Sequence, residues 1–167
     1  MVMKKLTILL VLSAILAVVS LSALDVGDDA AAFVLPGMDK SYVYSKNIFN
    51  GENWVLLDFY ATWCENCNEK LPYVEELYLK YKDKGYTCLL VATDAEGSDI
   101  VKPYFQSRPT PLQILIDRYQ VMAGKYGVEN LPTVILISPE GKIVYRLEGK
   151  SETMIEDIED FISVLNG

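Results

Sequence analysis

Trp54-Val55-Leu56-Leu57-Asp58-Phe59-Tyr60-Ala61-Thr62-Trp63-Cys64-Glu65-Asn66-Cys67 opens as an apolar run and closes on two cysteines three residues apart. The run from Trp54 to Tyr60 is long enough for one buried strand. Beyond the cysteines, Leu71, Val74, Leu77, Tyr78 and Tyr81 recur at spacings of three and four, the period of a helix. A strand therefore feeds a helix through a Cys-x-x-Cys. The first turn of a helix presents unpaired N–H groups and the positive end of the macrodipole. Both stabilise a thiolate and can lower a cysteine pKa from about 8.5 into the range of roughly 3.5–7.5. Two sulfurs at this spacing share one face of the first turn and can close and reopen a disulfide with little backbone movement.

Two other readings of the pair are weaker. As a structural staple, a disulfide closing so small a loop removes only about 2 kcal/mol of unfolded-chain entropy. As half of a zinc site it lacks a second ligand pair, because the chain has no histidine and one further cysteine, Cys88. Redox chemistry is the reading that remains, and neither a metal nor a cofactor is expected.

The segment from Asp58 to Cys67, with its Ala-Thr-Trp-Cys wording, resembles the active-site segment of the thioredoxin superfamily. Together with the N-terminus it is similar to the extracytoplasmic TlpA/ResA-type thiol-disulfide oxidoreductases, and the likeness runs from about Ala32 to the end of the chain. The resemblance implies an α/β thioredoxin-like fold, with a central mixed β-sheet flanked by helices and an N-terminal β-hairpin addition.

The composition agrees with an exported domain. The 167 residues suit one domain, residues 25–167, preceded by an N-terminal segment, residues 1–24. That segment has a short basic start, an apolar run from Leu6 to Val19 and the small residues Ser20-Leu21-Ser22-Ala23, the order of a secretory signal. Cleavage after Ser22 or Ala23 is expected; an uncleaved membrane anchor through residues 6–24 is the alternative. Both place the domain in the bacterial periplasm or on the outer face of the cytoplasmic membrane. Loss of Lys4 and Lys5 takes 15 basic residues to 13 against 23 acidic ones, so the formal charge moves from −8 to −10. That balance argues against nucleic acid or an anionic membrane surface as a partner.

The rest of the chain reads as alternating elements. Ala32–Leu35 and Tyr42–Tyr44 form a hairpin around Pro36-Gly37-Met38-Asp39-Lys40. Strands are expected at Tyr86–Thr93, Leu112–Ile116, Val134–Ser138 and Ile143–Leu147. Helices are expected from the Cys pair to Lys84-Gly85 with Pro72 inside, at Gly97–Ser107, at Asp117–Tyr126, and after a Ser151 cap. The last carries an apolar stripe of Met154, Ile155, Ile158, Phe161, Ile162 and Leu165. Cys88 reads as an inert core thiol.

Leu131-Pro132-Thr133 precedes an apolar strand. From residue types alone it fits a trans turn proline as well as a cis one; by resemblance it is the cis-proline loop that faces the Cys pair, with the Leu131 backbone pairing to an extended client segment. The resemblance also makes Cys64 the nucleophile, Cys67 the resolving thiol and Asp58 the buried acid that shuttles its proton. The competing reading of Asp58 is a carboxylate merely hydrogen-bonded at a strand end. Trp63, Leu131, Pro132 and Thr133 are the expected client contacts.

Two departures from the family stand out. Asn66 replaces the usual proline between the cysteines, and Lys70 stands where many TlpA/ResA-type members carry glutamate. Glu65 disfavours a neighbouring thiolate and so favours a less oxidising disulfide. The expectation is a monomeric reductase of disulfide-containing client proteins, with apocytochrome c among them by resemblance and a membrane-bound thiol reductase as electron donor. The rivals are an oxidase or isomerase using the same centre, and a non-enzymatic copper-handling chaperone.

Overall fold

In the computed structural model, which describes residues 23–166, the seven residues Trp54–Tyr60 form the central strand β3. Alternate residues of a strand point to opposite faces, and both faces of β3 are buried. Leu56 and Tyr60 face one core, which also holds Leu71, Val74, Leu77, Val101, Phe105 and Ile158. Val55, Leu57 and Phe59 face a second core with Phe33, Leu35, Met122 and Tyr126. A strand buried on both sides needs an unbroken apolar run, and the single polar residue in this one is Asp58.

The elements follow in order. β1 (Val34–Pro36) and β2 (Tyr42–Tyr44) pair as the expected hairpin, and a short helix α1 (Ser45–Ile48), for which the sequence carries no strong signal, follows. After β3 come α2 (Glu65–Tyr81), β4 (Tyr86–Ala92), α3 (Ser98–Ser107), β5 (Gln113–Ile116), α4 (Val121–Lys125), β6 (Thr133–Ile137), β7 (Ile143–Glu148) and α5 (Met154–Ile162). The main sheet has the order β5-β4-β3-β6-β7. β3 runs parallel to β4 and β4 to β5, whereas β6 is antiparallel to both β3 and β7. This is the thioredoxin-like fold with its mixed sheet and N-terminal hairpin. The hairpin reaches the edge strand β5 through a bridge between Gly37 and Leu115, shielding an otherwise open edge.

Several boundaries correct the sequence expectations. α2 stops at Tyr81, short of Lys84-Gly85. The helix expected over Asp117–Tyr126 shrinks to Val121–Lys125, because Gln120 sits in the left-handed region at φ 53° and the Asp117 carboxylate accepts from the N–H groups of Val121 and Ala123. Ser151 does not cap α5: Thr153 holds the cap position, and Ser151 Oγ accepts from Thr153 N instead. Phe161 leaves the apolar stripe for an exposed site against the ring of Tyr145. The 1–24 segment lies almost wholly outside the described residues. Among those described, no helix is long and apolar enough to cross a membrane.

Candidate active site

The cysteines sit where β3 hands over to α2. Cys64 is the N-cap of α2, in extended conformation, and its Sγ accepts from Cys67 N at 3.2 Å. The two are joined in a disulfide, with Cα atoms 5.2 Å apart. Cys67 is fully buried, and Cys64, at the helix start, is only 6% exposed. Within the loop, Cys64 N donates to Ala61 O at 3.0 Å. The exposed group of the loop is the neighbouring Trp63, at 73%.

A polar lattice that the sequence does not announce fixes this loop. Asp94, fully buried just beyond β4, accepts from Thr62 N at 3.1 and 3.2 Å and from Thr62 Oγ1 at 2.5 Å. Asn68 Nδ2 donates to Thr62 O at 3.1 Å, and its Oδ1 accepts from the hydroxyls of Tyr60 and, at 2.6 Å, Tyr104. Burial, with the Tyr104 hydroxyl beside it, pushes the Tyr60 phenol well above its ordinary value. The signal available in the sequence was a polar residue just beyond a buried strand, Asp94 after β4, and an amide one residue past Cys67 in α2, Asn68.

Asp58, expected to be a buried acid, has a partner that the sequence reading did not name. Its alternation within β3 places it on the α2 side, fully buried. Lys70, one turn after Cys67 on the same helix, reaches in and pairs with Asp58 Oδ1. Oδ2 has no hydrogen-bond partner among the described residues. Burial pushes the Asp58 carboxyl up, and the Lys70 ammonium pulls it part of the way back. The lysine that looked like a departure from a family pattern is thus the counter-ion of the buried acid.

The peptide bond between Leu131 and Pro132 is cis. Pro132 and Thr133 are buried and Leu131 is half-buried; Thr133 Oγ1 donates to Asn130 O at 2.6 Å, and Pro132 O accepts from Gly149 N at 2.7 Å. Within the described residues no backbone hydrogen bond engages Leu131. A groove of about 620 Å³ runs alongside, lined by Asn66, Lys70, Tyr73, Pro132, Met154 and Ile155. The groove thus holds Asn66, which lies between the two cysteines, the cis-proline Pro132, and Lys70, whose ammonium pairs with the buried Asp58. Cys88 is buried in β4 with its thiol pushed well up by burial. No group of three or more metal-ligating side chains occurs among the described residues.

Residues 26–146 match the AhpC/TSA family. The chain belongs to that family. Among its AhpC/TSA relatives, the thiol-disulfide oxidoreductase ResA of Bacillus anthracis is 35% identical over 140 residues, covering 83% of this chain and 78% of the relative. ResA of Bacillus subtilis is 31% identical over 137 residues, with 81% and 75% covered. A crystal structure from Chlorobium tepidum, described as a thiol:disulfide interchange protein DsbE, superposes with a TM-score of 0.78 at 30% identity, over 87% of this chain and 100% of the other. This AhpC/TSA member is a thiol-disulfide oxidoreductase.

Proposed function

We propose that the protein reduces disulfides in client proteins outside the cytoplasm. The observation that carries this reading is the placement of Cys64 at the N-cap of α2, with Cys67 buried one turn in and Asp58 buried beneath the same helix face. The reduced Cys64 thiolate, stabilised by the helix start, attacks a client disulfide; the Cys64–client bond forms and the first client sulfur leaves. Asp58 takes the proton from Cys67. Cys67 then attacks Cys64 Sγ, the bond to the client breaks with its electron pair on the client sulfur, and the enzyme retains the Cys64–Cys67 disulfide. The client gains two electrons and the enzyme loses two.

Among the described residues the main-chain groups of Leu131 make no backbone hydrogen bond, which suits pairing with an extended client strand. Pro132 and Thr133 flank that seat, and Trp63, exposed beside Cys64 in the chain, is the expected client contact on the loop. Clients include apocytochrome c, a membrane-bound thiol reductase returns the electrons, residues 6–24 direct export or anchoring, and the domain acts as a monomer.

The test is the reduction potential of the Cys64–Cys67 pair against glutathione. A value near −270 mV, as in thioredoxins, supports the reductase; a value near −120 mV marks an oxidase and overturns it.

A further inference from the structure

A proton that reaches Asp58 has to leave again before the next turnover, and the carboxyl is fully buried. Its one hydrogen-bond partner among the described residues is Lys70. Lys70 is not itself sealed in: its side chain is 10% exposed, and it lines the groove with Asn66, which lies between the cysteines, and the cis-proline Pro132. The other titratable groups whose charge is felt at or from Asp58 are Tyr86 and Cys88 of β4, both buried on the same side of the sheet. β6, on the other flank of β3, sets Val134 opposite Asp58 and offers no ionisable group there. Tyr86 and Cys88 lead inward. Lys70 alone among these groups leads to the groove.

We propose that Lys70 relays the Asp58 proton to the client sulfur as that sulfur leaves Cys64. The inference rests on the shuttle role given to Asp58 above. When Cys67 attacks Cys64 Sγ, the departing client thiolate lies in the groove beside the Lys70 ammonium. Lys70 gives one N–H proton to that sulfur and regains one from protonated Asp58. Asp58 returns to carboxylate, Lys70 to ammonium, and the proton first held by Cys67 ends on the client thiol. No charge is left stranded beside the sheet, where an unpaired ion is costly. The family glutamate at this helix position could not make the same pair with Asp58, so the relay belongs to this chain's own combination of residues.

The test uses the reduced full chain mixed rapidly with a peptide disulfide. Acid quenching and mass spectrometry then count the Cys64–peptide mixed disulfide against released dithiol peptide. Lys70→Arg keeps a cation against Asp58 but holds its protons too firmly to pass them on; Lys70→Met removes both charge and relay. In both variants the mixed disulfide accumulates and its resolution slows about tenfold or more, the lower range of general acid–base catalysis. Asp58→Asn slows the same step. Resolution at the wild-type rate in Lys70→Arg means that charge alone suffices and overturns the relay, as does an unaffected Lys70→Met. An unaffected Asp58→Asn instead sinks the shuttle itself. Thermal melts of the oxidised variants verify folding, and Lys70→Arg, which preserves the pairing charge, keeps the test available if Lys70→Met fails to fold.

Discussion

The Thr62 amide and hydroxyl both donate to the Asp94 carboxylate, so a buried acid at the end of β4 holds the loop that carries Trp63 and Cys64. The loop spans two elements of the parallel core, and its position is therefore tied to the sheet rather than to the helix alone. Because the bonds to Thr62 are charge-assisted, their loss matters more than that of neutral ones. Asp94→Ala is expected to lower the stability of the oxidised protein by about 1.5–3 kcal/mol, the usual range for hydrogen bonds to a charged group. Urea unfolding measures this; a change indistinguishable from zero would show that the loop holds without the carboxylate.

The Asp58 carboxyl makes stability depend on pH in a direction opposite to that of a surface salt bridge. Its folded pKa lies above its unfolded value of 3.8, because burial outweighs the pull of Lys70. The unfolded chain therefore releases the proton first. The Asp58 contribution to stability is unaffected below the unfolded pKa, declines as pH rises through the window up to the folded value, and stays at its lowest above it. Asp58→Asn, which cannot ionise, is expected to flatten that decline. Unfolding free energies of the oxidised protein and the variant, followed upward from pH 4, give the comparison; parallel profiles would contradict the raised carboxyl.

Cysteine chemistry should divide the three thiols sharply. In the reduced native protein, alkylating reagent is expected to modify Cys64 first, whereas Cys88, buried and with its thiol pushed up, reacts only after unfolding. Cys67→Ser should trap a client on Cys64 as a stable mixed disulfide, since no resolving thiol remains, and Cys64→Ser should trap none. Cys88→Ala leaves the potential of the pair as it was. Peptide mapping of the labelled and trapped products decides all of these, and label on native Cys88 would assign it a role that its burial denies.

Much of this was legible in residues 54–67. The apolar run, the Cys pair and the helical spacing behind it fixed the strand, the turn and the helix, because each is a local pattern with a period of its own. The Pro132 loop was legible through resemblance, and the geometry then brought it to the same groove. The partners of the polar residues were not legible. Lys70 reads as a surface lysine on a helix until β3 is laid beneath it, and Asp94 and Thr62 are 32 residues apart in the chain. The length of α4 escaped because Asp117 competes with the helix by accepting its first N–H groups, a side-chain choice that periodicity does not record.

Tyr60 and Tyr104 offer a test of cooperation within the lattice, since both hydroxyls donate to the one Oδ1 of Asn68. Removing either hydroxyl leaves that oxygen with a donor, and each single Tyr→Phe change should cost only about 0.5–1.5 kcal/mol. Removing both leaves a half-buried amide oxygen with no donor while Asn68 Nδ2 remains fixed to Thr62 O. Tyr60→Phe/Tyr104→Phe is therefore expected to cost more than the sum of the singles, with a coupling of about 0.5–1 kcal/mol, within the range seen for residues sharing one network. A double-mutant cycle by urea unfolding reads it directly. Strict additivity would mean that the two hydroxyls act independently, and that Asn68 is held to the loop by its amide nitrogen alone.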